Sequence, residues 1–114
     1  MFEIIKGTNK SRPDGRLQWR YDSGGTVSIV DIHVDGECRR CGVGKSMVQD
    51  LQGMLKPGTM IWAITRAENI IAQEFWEGMR FRVIGVLRDF YATDPHSREG
   101  VDAIMYGRAV GAVS

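Results

Sequence analysis

The stretch Arg39-Arg40-Cys41-Gly42-Val43-Gly44-Lys45 lies between an apolar run at residues 26–34 and an amphipathic stretch at residues 46–55. It reads as strand, glycine-containing loop and helix. Two glycines at such a junction let the main chain approach a ligand closely. The unpaired N–H groups of the first helical turn then point outward, with the positive end of the helix dipole behind them. Those are the requirements of a pyrophosphate seat, so the fold turns on which pyrophosphate the loop suits.

Spacing excludes two phosphate loops. Gly44-Lys45-Ser46 looks like the end of a P-loop, but that motif needs a glycine five positions before Gly44, where the chain has Arg39. A dinucleotide fingerprint fails as well, because Met47 stands where its third glycine belongs. What remains, Arg39-x-x-Gly42-x-Gly44 at the start of a helix, resembles the acyl-CoA loop of the GNAT superfamily of N-acyltransferases: Arg or Gln, two residues, Gly, one residue, Gly or Ala. A second block, Asn69-Ile70-Ile71-Ala72-Gln73-Glu74-Phe75-Trp76-Glu77-Gly78-Met79-Arg80-Phe81, resembles the same family's Asn-x-x-Ala-x-x-aromatic-aromatic helix. Arg80 replaces the glycine of its usual Gly-Phe ending. A third, Asp102-Ala103-Ile104-Met105-Tyr106, resembles the family's last strand. The three blocks agree in order and spacing over residues 26–110.

The resemblance implies a GNAT-like α/β domain spanning residues 1–114, with a mixed, mostly antiparallel sheet flanked by helices. It implies transfer of an acyl group, most often acetyl, from acetyl-CoA to a primary amine. By that resemblance the backbone of Ile32, His33 and Val34 meets the pantetheine arm where two strands splay. Arg39, Arg40, Cys41, Gly42, Val43, Gly44 and Lys45 hold the pyrophosphate, with Arg40 and Lys45 adding charge-assisted bonds. Asn69 sits near the arm, and Phe75 or Trp76 lies against it, although both aromatics equally suit core packing. Family members usually carry one or two helices between their first two strands, where this chain offers only a short polar stretch at residues 7–16. The acceptor side is then open, closed by a partner subunit as in a homodimer, or closed by the acceptor itself. An open side favours a macromolecular amine, such as one on a protein.

An amine attacks a thioester only when neutral, and a lysine with pKa near 10.4 is neutral in roughly one molecule in a few thousand at pH 7. A proton route is needed. The position eleven before Arg39, where some family members carry a base, is Ser28, and the position of the family's helical tyrosine acid is Trp76, whose indole is no acid at ordinary pH. Asp31, His33, Glu37, Tyr91 and Tyr106 remain as candidates without a leader. Regular alternation places Asp31 and His33 on one face of a strand, opposite Val30, Ile32 and Val34. The missing acid keeps open a second reading, an inactive acyl-CoA-binding or interaction module.

Composition fits one ordinary globular domain: 114 residues, 43% hydrophobic and 25% charged. Fifteen Lys plus Arg against fourteen Asp plus Glu leave a net charge of +1, which argues against a strong field for nucleic acid. A basic hairpin of Lys6, Lys10, Arg12, Arg16 and Arg20 with Trp19 and Tyr21 interleaved is a nucleic-acid alternative. No apolar run approaches the ~20 residues that span a bilayer, and no signal-like segment opens the chain, so a cytoplasmic location without membrane attachment is expected. Cys38 and Cys41 have C-x-x-C spacing with His33 upstream. No second closely spaced Cys or His pair completes a zinc site, so no metal is expected.

Pattern and turn residues predict strands at 2–6, 17–22, 26–34, 60–65, 82–91 and 103–110. A turn at 10–15 is centred on Pro13-Asp14-Gly15, and Ser23-Gly24-Gly25 makes a hairpin. One helix buries Val43, Met47, Val48, Leu51, Met54 and Leu55 and stops at Pro57-Gly58. The other presents Ile71, Ala72, Phe75, Trp76 and Met79 on one face. Residues 60–65, apolar on both faces, suit a strand inside the sheet.

Overall fold

The computed structural model describes residues 3–9, 12–34, 42–91 and 101–111. Its elements are β1 (Glu3–Asn9), β2 (Arg12–Tyr21), β3 (Val27–Val34), α1 (Val43–Met54), β4 (Met60–Arg66), α2 (Ile70–Gly78), β5 (Arg82–Tyr91) and β6 (Val101–Ala109). The strands form one mixed six-stranded sheet in the order β1-β2-β3-β4-β6-β5, flanked by the two helices. As expected from its two apolar faces, β4 is an interior strand. Two compact units divide the chain, Met1–Ile61 with Ala109–Val113 and Trp62–Arg108 with Ser114.

In the first unit β1, β2 and β3 pair antiparallel. The expected turn at 10–15 is corrected. Pairing of Asn9 with Arg12 and of Thr8 with Pro13 carries β2 back through Pro13-Asp14-Gly15, and the step from Thr8–Pro13 to Gly7–Gly15 leaves Asp14 as a bulge. Among the described residues the β3 register ends at Gly15–Val34, short of Pro13. The β2–β3 hairpin closes as predicted. Asp22 N–H donates to Thr26 O at 2.8 Å, Gly25 N–H donates to Asp22 O at 3.1 Å, and Gly25 takes φ 82°, the left-handed residue that a three-residue hairpin loop requires.

A second bulge resets β3. The register passes from Trp19–Ile29 to Gln18–Asp31, so Val30 has no partner on β2 and lies exposed. Regular alternation, which groups Val30 with Ile32 and Val34, is therefore wrong at that residue. The extra residue keeps Ile32 and Val34 on the face of Val27 and Ile29, and Asp31 and His33 on the other.

Helix α1 packs on this sheet with Val43, Gly44, Met47, Val48 and Leu51 buried, against a core that includes Leu17, Trp19, Val27 and Ile29. Met54, in the last turn, is exposed rather than buried. After the helix, Lys56-Pro57-Gly58-Thr59 forms a turn in which Thr59 N–H donates to Lys56 O at 3.1 Å and Gly58 takes φ 88°, the glycine position of a type II turn. The helix sits close because β2 carries glycine at position 15. A Cβ there would stand 2.9 Å from Val43 Cγ1, 3.0 Å from Met47 Cε and 3.1 Å from the His33 carbonyl oxygen.

In the second unit Asn69 caps α2, its Oδ1 accepting from Ala72 N–H at 3.1 Å. Trp76 is buried, its indole N–H donating to Thr65 Oγ1 at 3.0 Å. The helix ends in a double hydrogen-bonded cap: Arg80 N–H donates to Glu77 O and Phe81 N–H to Trp76 O, each at 3.0 Å, while Arg80 takes φ 66°. The apolar contact that accompanies such caps is Trp76 against Phe81, ring centroids 5.0 Å apart. Arg108 Nη1 donates to the Met79 carbonyl at 2.7 Å. Ile71 departs from the predicted stripe and is 76% exposed. At about 100° per residue it lies about 140° round the helix from Trp76, whereas Ala72 is about 40° away.

Two stability outcomes follow from these glycine-like positions. Gly15→Ala should cost about 1–3 kcal/mol, because backbone and two core side chains must give way. Arg80→Gly should add roughly 0.5–1 kcal/mol by relieving a left-handed residue that carries a Cβ. Urea unfolding midpoints moving in opposite directions for the two variants check both.

Candidate functional site

Gly42 opens α1 at φ 77° and ψ 11°, and the first helical bond runs from Ser46 N–H to Gly42 O at 2.9 Å. By helix geometry the N–H groups of Val43, Gly44 and Lys45 have no acceptor inside the helix. Among the described residues no side chain caps them, and the first turn holds no acid. A glycine at this position satisfies the backbone conformation without supplying the oxygen that serine or aspartate would. Among the described residues, nothing lies within 4 Å of a Cβ built on Gly42. Lys45 is exposed in that same turn, where a cation opposes the helix dipole and gains only if an anion joins it. Val43 and Gly44 are buried. Arg39, Arg40 and Cys41, with Glu37 and Cys38, lie outside the described residues.

On β3, Asp31 and His33 are exposed on the face opposite α1, and Ile32 and Val34 are half-buried on the helix face. Arg16 of β2 pairs with His33 in register, and its Nη2 lies 3.5 Å from Asp31 Oδ2. Ser28, eleven residues before Arg39, is buried and donates to Asp22 Oδ2 at 2.6 Å. Thr26 Oγ1 donates to the same oxygen at 3.1 Å, so the Asp22 carboxylate ties the hairpin together. Trp19 is buried on the helix side, which removes it from any base-stacking surface of the basic hairpin.

The candidates of the second unit sort by burial. Asn69 commits its side-chain oxygen to the α2 cap, Phe75 is half-buried, and Trp76 is only 3% exposed. Trp76 is therefore packed in the core, and Phe75 is the aromatic with more surface. Tyr91 is half-buried, with the Arg66 guanidinium 4.8 Å above its ring, and Arg66 Nε donates to Glu68 Oε1 at 2.9 Å. Tyr106 is 1% exposed, which withdraws it from any reacting group at the surface. The structure thus brings Asp31 and His33 together on one strand face, whereas Tyr91 and Tyr106 belong to the other unit.

Sequence reading passed over Gly15, whose missing side chain lets α1 approach β2 and the His33 carbonyl. A glycine inside a strand pattern is the signal that could have found it. It also passed over Asp22 and Thr65, whose hydrogen bonds join residues six and eleven positions apart and leave no local mark.

Comparison with known proteins agrees with this arrangement. A family profile described as "Acetyltransferase (GNAT) family" matches residues 11–81. The ribosomal-protein-S18-alanine N-acetyltransferase of Escherichia coli is similar in fold, with TM-score 0.76 and 18% identity over 99% of this chain and 72% of that one. NAA60 of Arabidopsis thaliana, solved with acetyl-CoA, gives 0.75 and 18% over 97% and 77%. Nourseothricin acetyltransferase gives 0.78 and 17% over 96% and 65%. No curated protein matches the sequence.

Burial, and secondarily the negative charge of Glu77, raises the Tyr106 pKa above the ordinary tyrosine value of 10.0. The native state then holds this proton more tightly than the unfolded chain does. Its stabilising effect is complete below pH ~10 and is lost as pH rises through the folded value. In an alkaline titration Tyr106 should form tyrosinate only above the ordinary tyrosine value, and Tyr106→Phe should reduce the loss of stability above pH ~10. Tyrosinate absorbance and denaturant midpoints measure the two.

Proposed function

Because the chain belongs to the acetyltransferase (GNAT) family, we propose that it is an acetyl-CoA-dependent N-acetyltransferase whose acceptor is a primary amine on a protein or other macromolecule. In this reading residues 1–114 form one acyl-CoA-binding domain. The observation that carries it is the start of α1: a left-handed Gly42, no capping side chain among the described residues, no acid in the first turn, and an exposed Lys45 in that turn. That set suits a diphosphate, which supplies the acceptors and the negative charge the turn lacks.

The pyrophosphate of acetyl-CoA is assigned to the backbone of Gly42, Val43 and Gly44 and the ammonium of Lys45, with Arg39, Arg40 and Cys41 completing the loop. The pantetheine arm is assigned to backbone groups of Ile32, His33 and Val34, with Asn69 and Phe75 near it. Acetyl-CoA supplies the activated acyl group. The acceptor nitrogen, once neutral, bonds to the carbonyl carbon, the carbon–sulfur bond breaks, the thiolate leaves, and the amine proton must go to a base. His33 is the group favoured for that proton, being exposed on the strand that leads to the loop, beside Asp31. Holding the reactants in line accounts for the rest of the rate.

A macromolecular acceptor is favoured because only two residues separate β1 from β2, so no helix stands between those strands to enclose a small substrate. The fold likenesses include an enzyme named for a ribosomal protein's alanine and one named for an antibiotic, so they do not choose between acceptors.

Calorimetric titration with acetyl-CoA tests the seat. Gly42→Glu should weaken binding by at least about tenfold, ~1.4 kcal/mol, by setting a carboxylate against the diphosphate. Lys45→Ala should cost about 1 kcal/mol. Unchanged affinity in both variants removes the acyl-CoA reading. Labelled acetyl transfer to peptide amines then separates an enzyme from a module that binds without turnover, and His33→Gln should lower kcat while leaving acetyl-CoA affinity unchanged.

A further inference from the structure

Gly15 lies in β2 between the two segments assigned to acetyl-CoA. On one side its register partner is Val34, in the β3 segment assigned to the pantetheine arm. On the other, a Cβ built on it would stand 2.9 Å from Cγ1 of Val43, the residue that begins α1, and 3.0 Å from Cε of Met47, one turn further on. The His33 carbonyl oxygen would lie 3.1 Å away. These residues all belong to the first unit. Gly15 is not among the glycines with positive φ, so space rather than backbone conformation calls for glycine here.

The neighbours differ in how they can yield. Met47 Cε is the far end of a flexible side chain and can swing aside. Val43 is β-branched, and a helix leaves such a residue one strongly preferred rotamer, so its Cγ1 moves mainly with the helix. The His33 carbonyl moves only with β3. A methyl group at residue 15 therefore pushes the start of α1 away from the sheet until the 2.9 Å approach becomes an ordinary contact of at least 3.4 Å.

We infer that Gly15 is a positioning residue for acetyl-CoA. By lacking a side chain it sets the distance from the N–H groups that begin α1 to the backbone of β3, the distance one cofactor molecule must span. This rests on the acyl-CoA assignment and adds to it a residue assigned no contact with the cofactor. A ligand held at two anchors loses fit when they separate by about half an ångström, whereas a ligand held at one anchor moves with it.

Titration of the full chain with two ligands tests it. Acetyl-CoA spans the seat and the strand, and ADP carries the diphosphate without the arm. Gly15→Ala should weaken acetyl-CoA binding at least about tenfold. Its ADP affinity should stay within about twofold of the native value. Leu51→Val, a change to the core farther along α1, should lower stability and leave both affinities as they are. Gly15→Ala/Val43→Ala removes the branch that the new Cβ meets and keeps the N–H, and it should recover most of the acetyl-CoA affinity. Circular dichroism shows which variants are folded. Unchanged acetyl-CoA binding in folded Gly15→Ala overturns the inference and leaves the seat standing. So does an equal loss for both ligands, or the same selective loss in Leu51→Val, since either marks general loosening of the core. Should the single variant not fold, the double variant decides: near-native acetyl-CoA affinity supports the inference, and a folded double variant at least about tenfold weaker than the native chain overturns it. A native chain that does not bind acetyl-CoA removes the acyl-CoA reading itself, and this inference with it.

Discussion

Close packing of α1 against β2 at Gly15 is the constraint on which the first unit depends. The Val43 and Met47 side chains occupy the space where a β-carbon of residue 15 would stand, and the His33 carbonyl lies beside them. This contact fixes where the helix begins. The helix start carries the orphan N–H groups, so a core packing distance sets the position of the polar site. The left-handed Gly42 then turns the chain into the helix without placing a side chain over those groups.

The β-bulge at Val30 complements that contact. An uninterrupted β3 would send Ile32 and Val34 to the solvent face and bury Asp31 and His33. Inserting one residue keeps the aliphatics under α1 while the carboxylate and imidazole stay in water. The strand thus serves a core on one face and presents titratable groups on the other. The second unit shows the opposite use of polarity, since Trp76 with Thr65 and the capping bonds of α2 place polar atoms where they complete packing rather than face a ligand. The indole that occupies the family's tyrosine position is therefore explained by the core of the unit.

Arg80 shows how a local rule can be broken and contained. Its left-handed conformation suits glycine, yet the helix cap forms with both hydrogen bonds and the Trp76–Phe81 contact in place. Four interactions, the Arg108 bond to the Met79 carbonyl included, hold the backbone against the steric cost of one β-carbon. At the other end of β5, Asp89 also has positive φ, 51°, and its N–H donates to Asp102 Oδ1 at 2.8 Å. Aspartate tolerates that region better than arginine does, so the two deviations differ in cost.

The order of strands and helices, the hairpin at Ser23-Gly24-Gly25, the glycine-led start of α1 and the interior place of β4 were legible in the sequence. Each depends on neighbours a few residues apart: a periodicity of two or 3.6, a turn glycine, a loop between strand and helix. The position of Val30, the strand through Pro13 and the need for glycine at 15 were not legible. Those depend on register with another strand or on a helix some thirty residues away, and a one-residue insertion leaves no local signature. The same division holds at the site. Residue types pointed to a proposed anion seat, but only burial separated Phe75 from Trp76 and placed Tyr106 inside, because whether a side chain meets water or the core is decided by what packs over it.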